Sequence, residues 1–98
     1  MLVRIVRMTF RPDAVAEFLA NFETHKNSIR HFPGCKHLEL WQDVLEKNIF
    51  TTYSHWESEE ALDQYRDSEL FKSVWKATKT LFSAKPKAFS SKKTLEVP

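Results

Sequence analysis

Two runs of strand-forming residues, five residues apart, fix the centre of this chain as a β-hairpin. Residues 36–42, KHLELWQ, alternate with period two, and residues 48–56, NIFTTYSHW, are crowded with β-branched and aromatic types, with Asp43 to Lys47 between them. On either side the period changes from 2 to 3.6. Before the hairpin, Val15, Phe18, Leu19, Phe22 and Ile29 recur at helical spacing, broken at Lys26, and predict a helix that begins at Pro12 and Asp13 and runs to about Arg30. After it, Ser58 and Ser68 stand where hydroxyl caps belong, each followed by acidic residues that suit the positive end of a helix dipole. They predict helices over 59–66 and 69–83, the second with an apolar stripe of Leu70, Phe71, Val74, Trp75, Thr78, Leu81 and Phe82. Strands over 2–10 and 87–95 complete a βαββαβ order. Gly34, the only glycine, follows Pro33 in the turn HFPGC, where the first helix must stop and a positive φ is available.

This order describes an α+β domain, and 98 residues suffice for one hydrophobic core rather than two, so residues 1–98 are read as a single domain. Right-handed crossovers put both helical segments on one face of a four-stranded sheet. The opposite face should then be polar, and it is not. In 48–56, Phe50, Thr52, Ser54 and Trp56 share one face while Ile49, Thr51, Tyr53 and His55 share the other. In the first strand Leu2, Val6, Met8 and Phe10 oppose Val3 and Ile5, and in 36–42 Leu38 and Leu40 oppose Trp41. Each large aromatic left in water forgoes about 4 to 6 kcal/mol, an upper figure from about 25 cal/mol per Å². Two of them rival the whole stability margin of about 5 to 15 kcal/mol. The expectation is a homodimer in which the bare faces of two copies meet.

Composition excludes more than it assigns. No apolar run approaches the roughly 20 residues of a membrane span, and MLVRIVRMTF lacks the form of a secretory signal, so a cytoplasmic protein with no membrane partner is expected. The single cysteine, Cys35, has no partner for a disulfide or a thiolate metal site and reads as a small buried hydrophobe. A net charge of +2 is too mild and too interspersed to imply a polyanion; Lys85, Lys87, Lys92 and Lys93 suit a solvated edge strand instead. One glycine cannot build a phosphate-cradling loop, which argues against the usual nucleotide, flavin and NAD fingerprints. His25, His31, His37 and His55 have no HxH, HxxH or HxxxH spacing, so no metal site is expected. Nothing suggests a strained nucleophile elbow or a Cys/His pairing, and the βαββαβ order lacks the glycine and aromatic pattern of RNA-recognition domains, so no nucleic-acid partner is expected.

The stretch YSHWESEEALDQYRDSELFKSVW, from Tyr53 to Trp75, has a strand ending in Trp, then Glu, Ser, two acids, Ala and a hydrophobe, then Tyr, then Ser with Phe three residues on. Together with HFPGC, it resembles the antibiotic biosynthesis monooxygenase family, over nearly the whole chain from Val3 to about Phe89. The resemblance implies a ferredoxin-like domain whose sheets form an α/β barrel in the dimer. It implies, in some members, oxygenation of phenols, anthrones or quinols without metal or flavin; others degrade haem, isomerise a signalling molecule or have no known activity. Cofactor-free members carry an Asn four residues before a strand Trp and a Tyr six residues after it. Here Trp56 matches the Trp, but Thr52 and Leu62 stand at the other two positions. The His that ligates iron in haem-degrading members falls at Trp75, which cannot coordinate iron, so haem degradation is rejected unless His25 substitutes.

The expected site is a pocket between sheet and helices. Thr52 and Trp56 hold a substrate anion, His25 or His55 serves as base, and Ser54, Tyr65, Trp75 and Phe22 contact the substrate. The leading expectation is cofactor-independent monooxygenation of an aromatic, anthrone or quinol-like molecule, with no cofactor. The alternative is a non-enzymatic dimeric ligand-binding or structural domain, in which Trp56 is a plug between sheet and helices and Tyr65 and Trp75 pack the core.

Overall fold

The computed structural model describes residues 1–98 and has the predicted element order. Strand β1 (Leu2–Thr9) leads through a 3₁₀ turn (Pro12–Ala14) into α1 (Val15–Arg30); β2 (Cys35–Gln42) and β3 (Ile49–Trp56) form the hairpin; α2 (Glu59–Arg66) and α3 (Glu69–Lys79) precede β4 (Lys87–Lys92). The sheet is antiparallel in the order β2-β3-β1-β4, so the lysine-bearing β4 is an edge. This is the ferredoxin-like α+β arrangement. No helix is long and apolar enough to cross a membrane.

Local chemistry accounts for most boundaries. The backbone N–H of Ala61 donates to Ser58 Oγ and that of Phe71 to Ser68 Oγ, each at 3.1 Å, so both serines cap the helices that follow them. Gly34 has φ +91°, and a Cβ there would lie 2.5 Å from Cβ of Ala61, so the turn needs glycine both for its backbone and for close approach of α2.

Three boundaries differ from the sequence reading by more than one residue. Pro12 opens a 3₁₀ turn, and the α-helix proper begins only at Val15. β4 ends at Lys92, three residues short of Leu95. The last helix ends at Lys79 rather than residue 83, because the end of β1 recruits the following residues. Phe10 bridges Phe82, the Arg11 N–H donates to the Leu81 carbonyl at 3.0 Å, and the Arg11 guanidinium donates to the Thr80 carbonyl at 2.6 Å. Helical spacing persists past residue 79, but these long-range bonds outweigh it.

The helices cover one sheet face and fill it with two clusters. Phe10, Phe18, Phe50 and Leu81 centre the first, and Trp56, Tyr65, Leu62 and Ile29 the second. Cross-strand register puts Leu38, Ser54, Arg4 and Ser90 in one row under the helices. The opposite face has no helix over it: Trp41 is 45% exposed and Phe89 52%. There Trp41 stacks on Tyr53 at 4.8 Å and donates its indole N–H to Glu39, whose other oxygen meets His37.

Candidate functional site

Between the two core clusters the helices and the sheet do not close. The gap is a cavity of about 300 Å³ lined by nineteen residues, thirteen of them hydrophobic. An apolar cavity half that size holds a benzene ring, so this one suits a ligand of about two to three fused rings. Its floor is the inward phase of the sheet, where period-two alternation brings Thr52, Ser54 and Trp56 of β3 beside Val6 and Arg4 of β1. Its roof comes from the apolar stripes of the helices, with Phe22 from α1, Tyr65 from α2 and Phe71 and Trp75 from α3. Among the lining residues Arg66 and Ala88 are exposed, so the cavity opens between the end of α2 and β4.

Six of the eight expected site residues therefore meet: Thr52, Ser54, Trp56, Tyr65, Trp75 and Phe22 all line one cavity. The two histidines do not. His55 belongs to the opposite phase of β3 and lies on the bare face, where its Nε2 is 2.7 Å from the Tyr53 hydroxyl and its ring 5.0 Å from that of His37. Burial, then the neighbouring His37 and Lys93, hold its pKa below the ordinary histidine value. His25 shares the α1 stripe with Phe18, Phe22 and Ile29, but its ring folds back along the helix and Nδ1 donates to the Asn21 carbonyl at 2.9 Å. Neither imidazole is among the lining residues, so the base expected at His25 or His55 is not found at the cavity.

Trp56 is only 1% exposed, and its N–H donates to Ser54 Oγ at 3.0 Å. Its ring stacks on Tyr65 at 4.8 Å. The indole donor expected to meet a substrate anion is thus spent on Ser54. Because Ser54 Oγ accepts that bond, its own proton is free to donate into the cavity. Tyr65 has its phenol pKa pushed up by burial and, secondarily, by Cys35, so it stays protonated and acts as a donor rather than a base. Thr78 is committed to its own helix, donating to the Val74 carbonyl at 2.7 Å.

Of the lining residues that the sequence reading does not name as site residues, two are charged, Arg4 and Arg66. No carboxylate or imidazole is among the nineteen, so the charges facing the cavity are both positive. Nowhere in the chain do three His, Cys, Asp or Glu side chains gather as a metal would require.

The model of the antibiotic biosynthesis monooxygenase family matches residues 1–77. A crystal structure described as an antibiotic biosynthesis monooxygenase superposes with a TM-score of 0.91 at 19% identity, covering 97% of this chain and 100% of that one. A conserved protein from Methanosarcina mazei Go1 gives 0.89 at 21% identity, over 96% and 94% of the two chains. A protein from Mycobacterium tuberculosis gives 0.88 at 20% identity, over 99% and 98%. Likeness at these identities speaks to the fold alone. A search of curated proteins found no match.

Proposed function

Because the chain belongs to the antibiotic biosynthesis monooxygenase family, we propose that its cavity binds an electron-rich aromatic, anthrone or quinol-like molecule and exposes it to O₂ without metal or flavin. The observation that supports this reading most is the pairing of an apolar cavity of about 300 Å³ with a floor of hydrogen-bond donors, Ser54 and Thr52, beside Arg4. Triplet O₂ reacts slowly with neutral organic molecules and faster with their anions, which give up an electron readily. In an apolar cavity an oxyanion persists only where donors meet it, and Ser54, with its oxygen already engaged by Trp56, is set to donate. With no base in the lining, the acidic proton leaves to solvent at the mouth as the anion forms against the donors. The electrons balance without a co-reductant. When a CH₂ of an anthrone becomes C=O, the substrate loses four electrons, one oxygen atom enters the product and the other leaves as water.

The experiment is O₂ uptake with dithranol-type anthrones and para-unsubstituted naphthols, without NADH, flavin or added metal, with and without chelator. Uptake that depends on the protein, falls by at least tenfold in Ser54→Ala and rises in Thr52→Asn supports the reading. The rival is a ligand-binding domain without chemistry. It is favoured by the Trp56 N–H being spent on Ser54 and by the replacement of two family groups by Thr52 and Leu62. Ligand affinity with no uptake at any pH from about 6 to 9, the range around histidine and activated phenol pKa values, would establish the rival instead.

The same reading includes a second copy of the chain on the bare sheet face. Val3, Ile5, Trp41, Tyr53 and Phe89 face away from the helices, and the polar groups among them are already paired with one another. A self-complementary contact over this face removes the aromatic area from water with the polar groups of Trp41 and Tyr53 already paired.

A further inference from the structure

Arg4 occupies an inward position of β1, in the same phase as Leu2, Val6 and Met8, where an apolar residue would bury more comfortably. The chain's six ion pairs do not include it. Its one side-chain bond is to a neutral group, Ser90 Oγ, at 3.1 Å. Arg66, the other charge on the cavity, has only a 3.8 Å contact with Asp63, and Asp63 does not line the cavity. A contact that long between exposed groups contributes little. Two guanidinium groups, one on the floor and one at the mouth, therefore face an apolar cavity that offers them no carboxylate. Desolvation, and then the positive charge of Arg66, lower the pKa of Arg4, as expected for a cation lacking a counterion.

We propose that Arg4 is an anion-binding residue of this cavity, with Arg66 at its mouth, and that the ligand is the anion of an acidic aromatic compound of about two to three fused rings, its charged oxygen seated against Arg4 and Ser54. This deepens the oxygenase reading and rests on the cavity being a ligand site. Arg4 and Ser54 are direct cross-strand partners on the cavity floor, so one anionic oxygen can reach both donors while the rings lie under Phe71 and Trp75. A carboxylate and a phenolate present the same chemistry to these groups. For a phenol, the pair also lowers the substrate's own pKa, supplying the anion that reacts with O₂. A cationic ligand of the same shape is repelled by both arginines.

The test uses 2-naphthoate and its neutral counterpart 2-naphthamide as probes in isothermal titration calorimetry at pH 7.5. Wild-type protein is expected to bind naphthoate at least tenfold more tightly than naphthamide. Arg4→Gln should weaken naphthoate binding tenfold or more and change naphthamide binding less than twofold, while Arg4→Lys should retain part of the preference. Arg4→Leu supplies a readout that a structural role would not give: with the unpaired charge removed, the ligand-free protein should melt at a higher temperature. Equal affinity for the two probes, equal loss of both in Arg4→Gln, or a lower melting temperature in Arg4→Leu overturns the proposal. Anthrone oxidation without a preference for naphthoate would overturn it while leaving the oxygenase reading in place. Binding of neither probe would overturn it as well, and binding of neither together with no protein-dependent anthrone oxidation would overturn both.

Discussion

Trp56→Ala should destabilise the protein by about 3 to 5 kcal/mol, because it deletes a large side chain that is nearly inaccessible to solvent. The indole stacks on Tyr65, lies 6.5 Å from the ring of Phe32 and is the only donor to the buried Ser54 Oγ. Those neighbours come from α2, β3 and the turn between α1 and β2, and cannot all move in to fill the space. For a domain of about 100 residues this corresponds to a fall in melting temperature of roughly 12 to 40 °C, at 4 to 8 °C per kcal/mol. Trp56→Phe keeps the stack on Tyr65 and loses the hydrogen bond, worth about 1 kcal/mol, plus part of the ring volume, so its cost should be about 2 kcal/mol. Urea denaturation followed by far-ultraviolet circular dichroism measures both at fixed protein concentration, which matters if folding is coupled to association. A loss below 1 kcal/mol in Trp56→Ala would refute the reasoning: the indole would have to be exposed and the cavity floor differently built.

Light scattering at micromolar concentration should give twice the chain mass of 11.6 kDa, and Trp41→Glu with Phe89→Glu should return a monomer; a wild-type monomer would rule out the face-to-face pairing. Gly34→Ala should cost more than about 1 kcal/mol, since the added Cβ meets Ala61 and the positive φ is strained for any other residue, and an unchanged urea midpoint would contradict this. His55 titrates below its unfolded value near 6.5, so between those two values the unfolded chain binds more protons and stability must fall as pH drops through the window. Comparing urea midpoints at pH 7.5 and 5.5 should show a smaller loss in His55→Asn than in wild type; equal losses would show that His55 is solvated in the fold.

Legibility in the sequence followed the range of the interactions involved. Caps are local, so Ser58 and Ser68 could be read directly and both proved to bond the N–H three residues on. Strand alternation is local too, and it alone puts Thr52, Ser54 and Trp56 on the one face that floors the cavity. The end of α3 was not local: helical spacing runs on through Leu81 and Phe82, and only the bonds from Arg11 and Phe10 stop it. His25 fails for a different reason: its helical phase is right, but its ring bonds the Asn21 carbonyl of its own helix, a rotamer choice that spacing does not specify. The inward phase of β1 contains Arg4 between Leu2 and Val6, so an ionised side chain at an apolar position was visible as a signal. Counting only the apolar members of the stripe hides it.

The fate of the oxygen atoms tests the proposed oxygenase site most directly. Purified protein with an anthrone substrate and ¹⁸O₂ should consume one O₂ per product and place one ¹⁸O atom in the new carbonyl and the other in water, with no accumulated hydrogen peroxide and with the rate reduced at least tenfold in Ser54→Ala. Product carrying oxygen from water alone, a stoichiometric yield of peroxide, or a rate that Ser54→Ala leaves unchanged would contradict it.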